Sequence, residues 1–134
     1  MGVIWKMILA LSLSLMVGGD GEPVRAPEVA QMVTVQVRDG NEVWEKRFTE
    51  PGKMEVFLLY LRNLRPEIPA QTDPERYVGV RYRISVYLSS GRKNVYYQHS
   101  NRFLSRNGKP WLVLEPEKGR LLDPLVKAIP EDGN

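Results

Sequence analysis

The side chains best suited to chemistry are concentrated between Arg76 and Lys109. That stretch holds eight lysines or arginines (Arg76, Arg81, Arg83, Arg92, Lys93, Arg102, Arg106 and Lys109) and no aspartate or glutamate. Guanidinium groups form paired, charge-assisted hydrogen bonds with phosphate and carboxylate and stack on planar groups. Tyr77, Tyr82, Tyr87, Tyr96 and Tyr97 lie in the same stretch and add aromatic faces. Tyrosines outside a core also suit protein-binding surfaces. These types together select Arg81, Arg83, Tyr87, Arg92, Lys93, Arg102 and Arg106 as a candidate surface for an anionic ligand. The competing account is bland and, by frequency, favoured. In it these are solvated sheet and turn cations, paired with Glu42, Glu45, Glu115 or Glu117 at about 0.2–1 kcal/mol per pair.

Groups that could support catalysis are sparse. His99 is the one histidine of the chain, so a zinc site built on two histidines is impossible. A serine triad would have to use His99, yet no serine sits in a G-x-S-x-G elbow. No cysteine occurs, which removes thiolate metal sites, disulfides and a lipid-attachment cysteine together. A carboxylate pair for glycoside hydrolysis would have to come from separate elements, because Glu42 and Glu45 alternate to opposite sides of one strand. Asp73 and Glu75 fall among prolines, where capping and turn formation are the ordinary roles. No P-loop, EF-hand or dinucleotide fingerprint is present, and no cofactor or metal is expected. The sequence leans toward a non-catalytic binding or interaction module for a protein partner or an anionic envelope polymer. A small envelope hydrolase using a carboxylate pair or His99 is the alternative.

The elements that must position these residues begin after a leader. Met1–Gly19 combines one charge at Lys6 with the uncharged run Met7–Val17, the pattern of a secretory signal. The run is too short for a span of about 20 residues, so a membrane tether is expected only if the signal stays uncleaved. Val17-Gly18-Gly19 places small or modest residues where a signal peptidase cuts, and residues 20–27 read as a flexible leader. Without cysteines or an Asn-x-Ser/Thr acceptor, the chain favours a bacterial exported protein outside the cytoplasm. Nucleic acid is a poor partner there, and the net charge is only +3.

Residues 28–130 then read as one domain, with 131–134 as a disordered tail. Val33, Val35 and Val37 alternate with polar residues as in a half-buried strand. Asp39-Gly40-Asn41 turns the chain into a second strand carrying Trp44 and Phe48 on one side. Thr49 is the expected N-cap, with Glu50 and Pro51 just inside a helix. Met54, Phe57, Leu58, Leu61 and Leu64 form its apolar stripe. Pro66, Pro69 and Pro74 make a connection that excludes a central strand. Val78–Leu88 is a central strand with Tyr82 inward and Arg81, Arg83 and Tyr87 outward. Asn94–His99 returns from a turn at Ser89–Lys93. Phe103–Ser105 and Pro110–Glu115 flank Asn107-Gly108, a type I′ turn signal. Glu117–Ile129 is a helix shortened or kinked by Pro124. The expected fold is α+β, a small twisted antiparallel sheet in the order ββ-α-ββββ-α with its helices on one face.

Overall fold

Three valines on one side of the first strand set the position of every other layer. In the computed structural model, which describes residues 28–132, β1 (Ala30–Asp39) and β2 (Glu42–Phe48) form a hairpin followed by α1 (Pro51–Leu64). β3 (Ile68–Pro69), a 3-10 turn (Pro74–Arg76), β4 (Arg81–Leu88), β5 (Lys93–His99), β6 (Phe103–Arg106) and β7 (Leu112–Val113) come next. Two short helices, α2 (Pro116–Gly119) and α3 (Leu122–Ala128), close the chain. All pairings are antiparallel, and the seven-stranded sheet runs β2-β1-β4-β5-β6-β7-β3. The signal peptide and leader read from residues 1–27 lie outside the described residues.

The register carries the alternation across the sheet. Val35 stands opposite Ile84, Val37 opposite Tyr82 and Val33 opposite Val86, while Phe48 flanks Val33 from β2. On this face α1 lays Met54, Phe57 and Leu64, all buried. The rings of Phe48 and Phe57 meet with centroids 4.8 Å apart. Each such side chain withdrawn from water contributes about 1.5–3 kcal/mol, which is why the helix covers this face.

The mixed α+β class and the antiparallel sheet agree with the sequence, but the order of elements differs in two places. Within the proline-rich connection, Ile68 and Pro69 pair with Val113 and Leu112 as the edge strand β3. At an edge, the N–H that proline lacks leaves no neighbour unpaired. The terminal helix is divided into α2 and α3 by Arg120 and Leu121, and Gly119, the last residue of α2, lies close against the backbone of Asn101. The strand read from Val78 begins instead at Arg81. The ladder stops where the Ser100 N–H reaches the Val80 carbonyl at 2.7 Å, leaving Val78 in solvent. The Asn107-Gly108 turn has φ of 51° and 74°, the paired positive values that asparagine and glycine tolerate best.

Helix α1 is capped from the far end of the chain. Glu50, not Thr49, is its N-cap residue and offers no side-chain bond. The Asp132 carboxylate accepts from the Thr49 amide, the Thr49 hydroxyl and the Glu50 amide, the last at 3.1 Å. Glu131 accepts from the Arg47 amide at 3.1 Å, so Glu131 and Asp132 are bound to β2 and the start of α1. A carboxylate from any part of the molecule can satisfy free amides at a helix start. Thr49, engaged with Asp132, is therefore not the cap. At the other terminus, the Lys46 ammonium donates to the carbonyls of Val126 and Ile129 at 2.6 and 3.1 Å and closes the end of α3.

Burial opposes the charge on Asp132. The Thr49 hydroxyl and amide, the Glu50 amide and Lys53 outweigh it and hold the carboxyl below its ordinary value. A depressed folded value means that the stabilisation is complete above the unfolded value of about 4 and is lost as pH falls through the folded one. Asp132→Ala is expected to cost about 1 kcal/mol at neutral pH. In thermal unfolding followed against pH, the gap between wild type and variant should close in acid. A gap that persists at the lowest pH would show that the carboxylate charge is not what caps α1.

Candidate functional site

With α1 on the valine side, the opposite face of the sheet is free of helices. Cross-strand register brings its polar residues into rungs. Arg38 of β1 stands directly opposite Arg81 of β4, and Arg81 opposite His99 of β5. In the next rung Gln36, Arg83, Tyr97 and Ser105 follow one another across four strands. Arg38, Arg81, Arg83 and Tyr97 are exposed. Like charges directly opposite one another destabilise a sheet, and compensation here is partial. Glu75 meets Arg81 at 2.8 Å. No carboxylate among the described residues lies within ion-pair distance of Arg38 or Arg83.

The seven residues selected from sequence do not form one cluster. Arg81 and Arg83 occupy the centre of the helix-free face. Tyr87 and Lys93 pair at one end of it, with the ammonium 5.6 Å from the ring centroid. Arg102 sits at the other end over the rings of Tyr77 and Phe103, at 5.1 and 5.9 Å. Arg92 lies in the β4–β5 turn and is held by Glu28 at 2.9 Å. Arg106 is on the helix-bearing face, opposite Tyr96 and 5.7 Å from its ring. Arg92 and Arg106 thus stand apart from the central pair, because a turn residue and a residue of opposite strand parity cannot share its face. Arg38 was missed. Its outward position was visible in the alternation of β1, but nothing local shows that β1 lies beside β4. Of the acids offered as partners, Glu115 pairs instead with Lys118, and the arginines recruit Glu75 and Glu28.

The groups named for a hydrolase lie in separate surroundings. His99 is 1% exposed, and neither ring nitrogen has a hydrogen-bond partner among the described residues. Its neighbours include the Phe103 ring, 6.4 Å away between centroids. No hydroxyl among the described residues is hydrogen-bonded to it. Among the described residues no three of histidine, aspartate and glutamate converge as metal ligands. Asp73 accepts from the Glu75 amide at 3.0 Å and caps the 3-10 turn.

On the helix side, Asp123 accepts from the Tyr82 hydroxyl at 2.9 Å and pairs with Lys127 at the same distance. The bond from Lys127, opposed by burial and aided by Tyr82, holds the Asp123 carboxyl below its ordinary value. Burial first, and then the bond to Asp123, pushes the Tyr82 hydroxyl up. This is an anchor between sheet and helix, with its proton fixed on tyrosine. A groove of about 290 Å³ between α1 and the α2–α3 segment is lined by Val56, Leu59, Leu64, Leu121 and Leu125, with Tyr60, Asn63 and Lys118. The Tyr60 hydroxyl is already bonded to Gln98 at 2.5 Å, so the groove presents apolar surface and no acid–base pair. No helix among the described residues is long and apolar enough to cross a membrane. The chain matches no protein-family model, and no curated protein or solved structure is similar to it.

Proposed function

We propose that this chain is an exported, non-catalytic binding module whose helix-free sheet face holds an anionic partner at the cell envelope, an acidic protein or an anionic polymer. One observation carries the reading. Arg38 and Arg81 are held directly opposite each other beside Arg83, and only Arg81 has a carboxylate partner among the described residues. A sheet that keeps such a trio exposed gives up some stability, and an anion bound across the rungs would restore it through charge-assisted bonds. Tyr97, exposed beside Arg83, offers a ring for contact with a partner. Export rests on the pattern of Met1–Gly19. The hydrolase alternative has no support in the surroundings of His99.

The test is the double variant Arg81→Gln/Arg83→Gln. Both side chains point to solvent, so the midpoint of thermal unfolding should stay within the range of ordinary surface changes, about 0.5 kcal/mol. Affinity for a soluble polyanion such as heparin should fall about tenfold or more, given about 1.5–3 kcal/mol for a hydrogen bond to a charged group. Wild-type affinity should itself weaken as salt is added. A specific protein or polymer recovered from the envelope fraction with wild type, and lost with the variant, would identify the partner. Heparin affinity that does not change with ionic strength, or equal affinity of variant and wild type, would overturn the reading.

A further inference from the structure

The segment entering β4 shows an arrangement that an acidic protein or polymer does not require. Tyr77 is extended and turns its ring onto Phe103, with centroids 5.7 Å apart. Gly79 lies so close to Ser100 and His99 that an added Cβ would sit 3.0 Å from the Ser100 Cβ. Both neighbours of Val78 are thus pressed toward the sheet, and Val78 between them points away, 103% exposed. On the same rung of the sheet, Phe103 stands opposite Val113 and Val113 opposite Ile68. Ile68 is 66% and Val113 36% exposed. Single exposed apolar side chains are ordinary, but here Ile68 and Val113 share a rung with Phe103, the ring on which the segment carrying Val78 packs.

Cations flank Val78. Arg76 directly precedes Tyr77, Arg102 lies over the Tyr77 and Phe103 rings, and Arg81 opens β4. Of the acids nearby, Asp73 caps the 3-10 turn, Glu75 is paired with Arg81, and Glu67 precedes Ile68 on the far edge strand. Arg76 and Arg102 have no carboxylate within ion-pair distance among the described residues. An apolar side chain that projects into water between arginines matches the boundary of an anionic bilayer, where acyl chains and negative headgroups lie side by side.

We infer that this end of the face docks on an anionic lipid surface, with Val78 entering the headgroup region and Arg76, Arg81 and Arg102 meeting lipid phosphates. The inference rests on the anion-holding reading above and names the lipid bilayer as what this end of the face meets.

Because the chain contains no cysteine, Val78→Cys in the full chain takes a single environment-sensitive fluorophore, and Ala128→Cys, an exposed position at the end of α3, serves as control. The expected result is a blue shift at position 78 on phosphatidylcholine vesicles containing phosphatidylglycerol. Phosphatidylcholine alone should give none, and the control position should stay water-like on both. Adding Arg76→Gln and Arg102→Gln should weaken the response about 25-fold in lipid concentration, at about fivefold per cation. A water-like signal at 78 on anionic vesicles, while the chain still binds heparin through Arg81 and Arg83, would overturn the lipid assignment and leave the anionic face standing. An equal shift on neutral vesicles would also overturn it, and loss of both vesicle and heparin binding would take down the parent reading as well.

Discussion

Gly119→Ala is expected to destabilise the protein by about 3 kcal/mol or more, toward and beyond the upper end for overpacking a filled site. A Cβ built on Gly119 would lie 2.4 Å from the Asn101 carbonyl oxygen, 2.9 Å from its carbon and 3.0 Å from its Cα. All three are backbone atoms, so no side chain can swing aside. Nor is that backbone free to move. Ser100 beside it has φ of 56°, Ser100 N–H is bonded to Val80 at 2.7 Å, and Leu114 N–H to the Arg102 carbonyl at 2.7 Å. The methyl group must therefore push α2 away from the β5–β6 turn. At about 4–8 °C per kcal/mol for a domain of this size, the midpoint of thermal unfolding should fall by about 12–24 °C. A midpoint unchanged by Gly119→Ala would mean that α2 does not rest on Asn101.

Replacing Gln98 by leucine should cost a similar amount for a different reason. Gln98 is 2% exposed and bonded at both ends of its amide. Its Oε1 accepts from the Tyr60 hydroxyl at 2.5 Å, and its Nε2 donates to the carbonyls of Ser100 and Gly119 at 2.8 and 3.0 Å. One side chain so ties α1, the β5–β6 turn and α2 together. Leucine fills much of the volume but leaves a buried hydroxyl and two carbonyls short of a partner, at about 1–3 kcal/mol for each group left unsatisfied. Tyr60 retains a second contact, its hydroxyl lying 3.3 Å from the Gly119 carbonyl, so the expected total is about 3 kcal/mol and not the full sum. Tyr60→Phe alone should cost about 1 kcal/mol. After Gln98→Leu it should cost less, since the acceptor it served is gone. Denaturant titrations of the four proteins in this cycle measure the coupling, and strict additivity would show that the two residues do not act as one network.

Both sites illustrate what local patterns leave open. Gly119 stood inside a segment read as one helix, and Gln98 was an unremarked member of a strand. His99 stands in sequence only as the end of the strand Asn94–His99, but the segment around Gly79 and the Phe103 ring enclose it. Lys46, on the inward side of an edge strand, gave no sign that it closes α3. Each of these roles depends on a residue 20 or more positions away, or on a backbone approach that has no signature in composition.

What the sequence determined by itself was everything governed by near neighbours along the chain. The alternation of Val33, Val35 and Val37, and of Tyr82, Ile84 and Val86, encodes buried faces because strand side chains point to alternate sides. The spacing of Met54, Phe57, Leu61 and Leu64 encodes the helix, and Asn107-Gly108 its turn, for equally local reasons. The tertiary structure alone decided that β1 lies beside β4 and so set Arg38 against Arg81. It also brought Asp132 to the start of α1, parted Arg106 from Arg81, and left Val78 in solvent. Strand order and long-range capping arise from how apolar faces of distant segments are buried together. That free energy belongs to the assembled core and to no short stretch of residues.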